Sequence, residues 1–262
     1  VGVSTKRSLG QHFLVDREAI RRIVDAVPTT PQRIVEIGPG EGALTLPLLG
    51  SGRPMLLIEK DRRLVESWRA RGNPELAVLE ADAADGDWMS DLPEGEWGLV
   101  SNLPYNVGTP ILRRVLAAHV RFPWAVLMFQ REVADRILFA GGREGGPLGL
   151  LTSLVYRVED VGIVPPGAFR PPPAVHSRVL RLTRLADPVP SEAVVRAWPI
   201  LCTLFARRRA MLDKAVATAT RRSREEVQAW FAELGIRPDA RPDHLATGAA
   251  RALLARMGVF DL

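Results

Sequence analysis

Apolar positions along the chain follow two rhythms that take turns. Ile20, Ile23, Val24 and Val27 keep the i, i+3, i+4, i+7 spacing of an amphipathic helix, and Asp16 stands where its N-cap belongs. "RIVEIG" then forms a short apolar run that ends in glycine, as a strand buried on both faces would. The alternation repeats. "ALTLPLLGSG" predicts a helix stopped by Gly50 and Gly52, "PMLLIEKD" a strand, "RRLVESWRARG" a helix and "ELAVLEAD" a strand. "WGLVSNLPY" is a fourth strand, "TPILRRVLAAHV" a helix, "WAVLMFQ" a fifth strand and "EVADRIL" a helix. "GLLTSLVYRVEDVGIV" and "HSRVLRLTRL" predict two late strands, an antiparallel pair at one edge. Strands alternating with helices imply right-handed crossovers, so the expected class is α/β: a mostly parallel sheet with helices on both faces.

The pattern changes at "ADPVPSE", which reads as a linker. Beyond it every segment is helical: "SEAVVRAW", "ILCTLFARRRAMLDKAV", "SREEVQAWFAELG" and "TGAARALLARMG". The third carries a capping box from Ser223 to Glu226 and a stop at Gly235. Two domains are therefore expected, residues 1–185 and a small helical domain at 186–262.

Composition narrows the class. The 262 residues are 47% apolar and 25% charged, ordinary for a globular protein. No run approaches the ~20 apolar residues of a membrane helix. The first residues lack a signal peptide's apolar core, and a cytoplasmic protein is expected. The single cysteine, Cys202, excludes a disulfide framework and a cysteine zinc site. Histidines at 119, 176 and 244 have no metal-ligand spacing, so no metal is expected. The net charge of +5 favours a polyanionic partner.

Candidate chemistry gathers at the strand ends. "VEIGPGEGALT" places Gly38, Gly40 and Gly42 between a strand and a helix, where backbone can approach a ligand closely. Glycines alone would equally make a tight turn. Their G-x-G-x-G spacing differs from the G-x-G-x-x-G of dinucleotide sites and suits a smaller ligand with a carboxylate. Glu59 closes the second strand, where a carboxylate can accept hydrogen bonds from both hydroxyls of a ribose. Asp82 closes the third, within reach of an adenine amino group. Ligands of open α/β sheets sit beyond these carboxyl ends, and the three together suit S-adenosylmethionine.

The fourth strand ends in "NLPY", which holds one of only three asparagines in the chain. An adenine amino group is a poor nucleophile because its lone pair is delocalised into the ring. Acceptors for both of its N–H bonds would let the nitrogen pyramidalise. Asn102 supplies a side-chain oxygen and Leu103 a carbonyl freed from the ladder by Pro104, while Tyr105 offers a face for stacking. In "PPGAFRPPPAV" five prolines stiffen a loop around Phe169, expected to face Tyr105 across an extruded base. Arg207, Arg208 and Arg209 can grip phosphates or simply form a solvated helix face.

Taken in order, "KRSLGQHFL", "VEIGPGEGALT", "NLPYNVGTPIL", "FQREVADRI" and "PPGAFRPPPAVHSRVLRL" resemble the ribosomal RNA adenine N6,N6-dimethyltransferases of the KsgA/RsmA type. The resemblance covers nearly all of residues 6–184. It implies a Rossmann-like class I methyltransferase fold with S-adenosylmethionine as cofactor. It also implies a monomer acting on two adjacent adenosines near the 3′ end of 16S RNA in the small ribosomal subunit. Cofactor contacts carry over onto His12, Leu14, Gly38, Glu59, Asp82 and Asn102, with Gln11, Gly40, Lys60 and Ala83 beside them. Many members have asparagine in place of His12. They often read Arg-Arg-Lys-Thr-Leu where this chain follows its arginines with Ala210 and Met211. Two rival readings are a macrolide-resistance methyltransferase of the large subunit and a non-catalytic assembly factor.

Overall fold

The protein is described by a computed structural model covering residues 12–85, 87–140, 145–206 and 210–261. In chain order the first elements are β1 (Phe13–Leu14), α1 (Arg17–Asp25), β2 (Ile34–Ile37), α2 (Thr45–Leu49), β3 (Met55–Glu59), α3 (Arg62–Arg69) and β4 (Leu76–Glu80). There follow β5 (Gly98–Asn102), α4 (Gly108–Ala117), β6 (Trp124–Gln130), α5 (Arg131–Leu138), α6 (Pro147–Ser153), β7 (Tyr156–Val164), β8 (Phe169–Arg170) and β9 (Ser177–Arg184). The remaining helices are α7 (Ser191–Phe205), α8 (Leu212–Thr220), α9 (Arg224–Glu233) and α10 (Thr247–Arg256).

Seven strands form one sheet in the order β4-β3-β2-β5-β6-β9-β7. The pairings among β4, β3, β2, β5 and β6 are parallel, and β9 runs antiparallel to β6. The strand order reverses between β2 and β5, which makes that pair the switch point where such sheets bind ligands. Ser101 ties the two strand ends together there: its hydroxyl is buried and donates to the Ile37 carbonyl at 2.6 Å. Both faces of the sheet are covered. Ile34, Leu57, Val100 and Val126 pack into one core, while Val35, Ile58, Leu99 and Leu127 are buried beside them in alternation. Asp16 caps α1 through a 2.7 Å bond from the Ala19 N–H, and Ile23 on that helix is buried in the same core.

The chain divides into two compact units. The first holds the described residues up to Ala134 together with Glu159–Thr183. The second holds Asp135–Val158 and the chain from Arg184 onward. Within it α6 packs on α7, α7 on α8 and α8 on α9. Asp213 is buried and accepts hydrogen bonds from Arg224 Nε at 3.0 Å and Gln228 Nε2 at 2.9 Å, which fastens α8 to α9. The capping box on Ser223 and Glu226 is present at the start of α9.

Three segments depart from the sequence expectation, the first being "ILCTLFARRRAMLDKAV", which is divided between α7 and α8 with Met211 extended before the second. "GLLTSLVYRVEDVGIV" is not one strand, because its first residues belong to α6. Pro147 after Gly146 starts that helix, and Leu148 to Thr152 are all buried, so no amphipathic period betrays it. Pro199 does not divide α7, although the pattern reads as two helices there. The backbone bond that it forfeits belongs to the carbonyl of Val195, a residue 61% exposed on α7.

Candidate active site

A cavity of about 470 Å³ opens beyond the carboxyl ends of β2, β3, β4 and β5. Small-molecule sites run from roughly 300 to 1,000 Å³. Each strand end contributes its own wall: Gly38–Gly42 after β2, Glu59–Asp61 at β3, Ala81–Ala83 after β4 and Asn102–Val107 at β5. Residues His12, Phe13 and Leu14 form a further wall. Twelve residues expected from the sequence therefore share one cavity: His12, Leu14, Gly38, Gly40, Glu59, Lys60, Asp82, Ala83, Asn102, Leu103, Pro104 and Tyr105.

The glycines are required by the shape of this wall. Gly38, Gly40 and Gly42 have φ of 65°, 55° and 97°, which L side chains rarely adopt. A Cβ on Gly40 would come within 3.0 Å of the Phe13 ring, and one on Gly42 within 2.6 Å of Trp68. Trp68 also donates its indole N–H to the Gly40 carbonyl at 3.0 Å. The loop is thus clamped from α3, a contact that no feature of the sequence singled out.

The acidic side chains are held in set orientations. Glu59 is only 7% exposed, and its Oε1 accepts from the backbone N–H groups of Lys60 and Asp61, each at 2.8 Å. Burial raises its pKa, while the N–H groups of Asp61, Lys60 and Gly40 pull it back. Asp82 accepts from Lys60 Nζ at 2.7 Å and from the Ala84 N–H at 2.9 Å, and the Lys60 ammonium holds its carboxyl below the usual range. Sequence reasoning missed Glu36. It lies inside β2, lines the cavity and is 2% exposed. Burial pushes its pKa up to about 8, against a 2.7 Å hydrogen bond donated by Thr45 Oγ1. The available signal was a lone charge in an otherwise apolar four-residue strand.

At the end of β5, Asn102 spends its amide N–H on the His12 carbonyl at 3.3 Å, which turns its side-chain oxygen the opposite way. The Leu103 N–H reaches Met128 O at 3.3 Å, and Pro104, lacking an N–H, ends the ladder. Tyr105 is oriented by a 2.6 Å hydrogen bond between its hydroxyl and that of Ser177 on β9.

One expectation falls differently, and others lie beyond the described residues. Phe169 does not face Tyr105 across the cavity: it is 2% exposed, pairs with Leu14 across the β1–β8 ladder and belongs to the core with Ala168 and Val164. The proline-rich loop carries the ring into the core, where β8 pairs with β1. The ring that stacks on Tyr105 is His12, with centroids 5.5 Å apart. Gln11 and the arginines at 207–209 lie outside the described residues. Among the described residues no cluster of three or more His, Cys, Asp or Glu could hold a metal ion, and no helix is long and apolar enough to cross a membrane.

Known proteins resemble this chain in sequence and in fold. The family model described as ribosomal RNA adenine dimethylase matches residues 2–249. A relative from Bdellovibrio bacteriovorus named ribosomal RNA small subunit methyltransferase A is 36% identical over 265 residues, covering 98% of this chain and 94% of its own. One of the same name from Xanthomonas campestris pv. campestris is 38% identical over 245 residues, covering 92% and 91%. Among solved structures, the 23S rRNA methyltransferase ErmE superposes with a TM-score of 0.72 at 26% identity, covering 94% of this chain and 99% of that one. A dimethyladenosine transferase from Plasmodium falciparum reaches 0.75 at 22% identity, covering 94% and 98%, and shares the fold. With the family model spanning nearly its whole length, this chain belongs to the ribosomal RNA adenine dimethylase family.

Proposed function

We propose that the protein transfers methyl groups from S-adenosylmethionine to N6 of two adjacent adenosines near the 3′ end of 16S ribosomal RNA. The product is N6,N6-dimethyladenosine, formed as the small subunit matures in the cytoplasm. The observation that carries the reading is the single cavity into which four strand ends deliver glycines, carboxylates and the Asn102–Tyr105 turn.

The residues present fit the donor. The glycine wall leaves room for backbone to approach it, and Glu59, fixed through Oε1, can accept the ribose hydroxyls. Asp82 and Ala83 bound the end suited to adenine. When bound, S-adenosylmethionine supplies a methyl group on a sulfonium, an activated leaving arrangement that needs no strong base. The chain's own work is positioning and charge stabilisation. The side-chain oxygen of Asn102 and the Leu103 carbonyl accept the two N–H bonds of the target amine, and they stabilise the positive charge that develops on it. Tyr105, braced by Ser177, supports the base. A monomethylated amine keeps a single N–H, so it must turn and enter again with that hydrogen on one of these acceptors and its methyl group accommodated beside the other.

The test is to incubate the protein with each ribosomal subunit from unmethylated cells, using labelled donor, and to map the methylated nucleotides. Label on two adjacent adenosines near the 3′ end of 16S RNA is expected. Label on the large subunit would instead support the second reading, which the likeness to ErmE favours. Substituting Asn102 by alanine separates catalysis from a pure assembly role: transfer should fall by about 100-fold or more. Wild-type transfer by that variant would refute the proposed mechanism.

A further inference from the structure

Beyond the cofactor contact that family resemblance implies for His12, we infer that this residue is the second wall of the target-base slot, facing Tyr105. The inference rests on the methyl-transfer reading and identifies the aromatic partner that Phe169 does not provide. Three contacts converge on His12. Its ring stacks on Tyr105 with centroids 5.5 Å apart and planes 28° from parallel. Its Nδ1 lies 2.8 Å from the Pro171 carbonyl, which can only accept, so Nδ1 carries the hydrogen and donates. Its own carbonyl receives the Asn102 amide. The imidazole is thereby fixed between the turn that accepts the amine and the proline-rich loop. It covers the face of Tyr105 on which a flipped base would stack.

A base between two rings needs them about 7 Å apart, so entry opens the present pair by roughly 1.5 Å. A base seated there lies beside Asn102, whose side-chain oxygen is turned away from the bond to His12. Phe169 cannot take this place without leaving the core and its pairing with Leu14. The proline loop contributes instead through its backbone, by holding His12 at Pro171.

The test compares wild type with His12→Ala and His12→Phe. Quenching of 2-aminopurine riboside, titrated onto protein loaded with S-adenosylhomocysteine, reports stacking without requiring transfer. Calorimetric titration of S-adenosylhomocysteine reports the donor side. Removing the ring should weaken nucleoside binding about tenfold, and phenylalanine should restore it to within about threefold. Because His12 also lines the donor cavity, His12→Ala should lose some donor affinity, but severalfold less than it loses nucleoside affinity, and transfer to small subunits at saturating donor should follow the quenching. Equal quenching in wild type and His12→Ala overturns the inference. So does an alanine variant that loses donor affinity as strongly as nucleoside affinity, which would make His12 a donor-site residue alone. Wild-type quenching without methyl transfer to either subunit would sink the methyl-transfer reading and leave the slot standing.

Discussion

Glu36 shows how much a single buried carboxyl can govern. Its pKa is raised from an ordinary 4.5 to about 8 by burial. Between those values the folded protein keeps a proton that the unfolded chain has already lost. The folded state binds more protons there, so this group's contribution makes stability fall as pH rises from about 4.5 to about 8. Glu36→Gln keeps an acceptor for Thr45 and has no charge to bury. Its stability, followed by urea unfolding, should gain on wild type across that window by an amount on the order of 4 kcal/mol. A constant difference between the two proteins from pH 5 to pH 8 would contradict the raised pKa. The sequence displayed this residue openly, yet a strand of four residues with one glutamate does not say which way the glutamate points.

Strands and turns were legible because their signals are local. Alternating apolar runs gave the parallel sheet, and glycines, Glu59, Asp82 and "NLPY" were recognisable because each ends a strand. What stayed hidden needed contacts between distant elements. α6 is buried on all sides and has no period to read. Phe169 lies in a loop whose stiffness is visible but whose facing is decided by pairing with β1. Trp68 meets the glycine loop from α3, across 28 residues of chain. This last contact makes a prediction for the element it clamps. Gly42→Ala would force a Cβ toward the buried Trp68 ring at a φ of 97°, so it should cost about 1–3 kcal/mol in unfolding experiments and weaken donor binding as well. In the helical unit, Asp213→Ala strands Arg224 and Gln228 without their buried acceptor. A loss of roughly 2–4 kcal/mol is expected by chemical unfolding, and a near-neutral effect would show that α8 and α9 hold together without it.

At the scale of the molecule, one sheet edge organises the chemistry. Four parallel strands end on the same rim, and the reversal between β2 and β5 opens the space that their ends enclose. Parallel pairing and right-handed crossovers bring residues as far apart in sequence as Gly38 and Tyr105 to one cavity. The division of the chain was only partly readable: the shift to all-helical character after residue 185 is plain, whereas the inclusion of Asp135–Val158 in the second unit depends on packing of α6 against α7. The central claim is that this rim holds the methyl donor and points it at Asn102. The most direct measurement is a crystal structure with S-adenosylhomocysteine bound. Ribose hydroxyls within hydrogen-bond distance of the Glu59 carboxylate, with the sulfur turned toward Asn102, are the predicted result. A ligand seated elsewhere, or one in the cavity with its ribose remote from Glu59, would contradict the account.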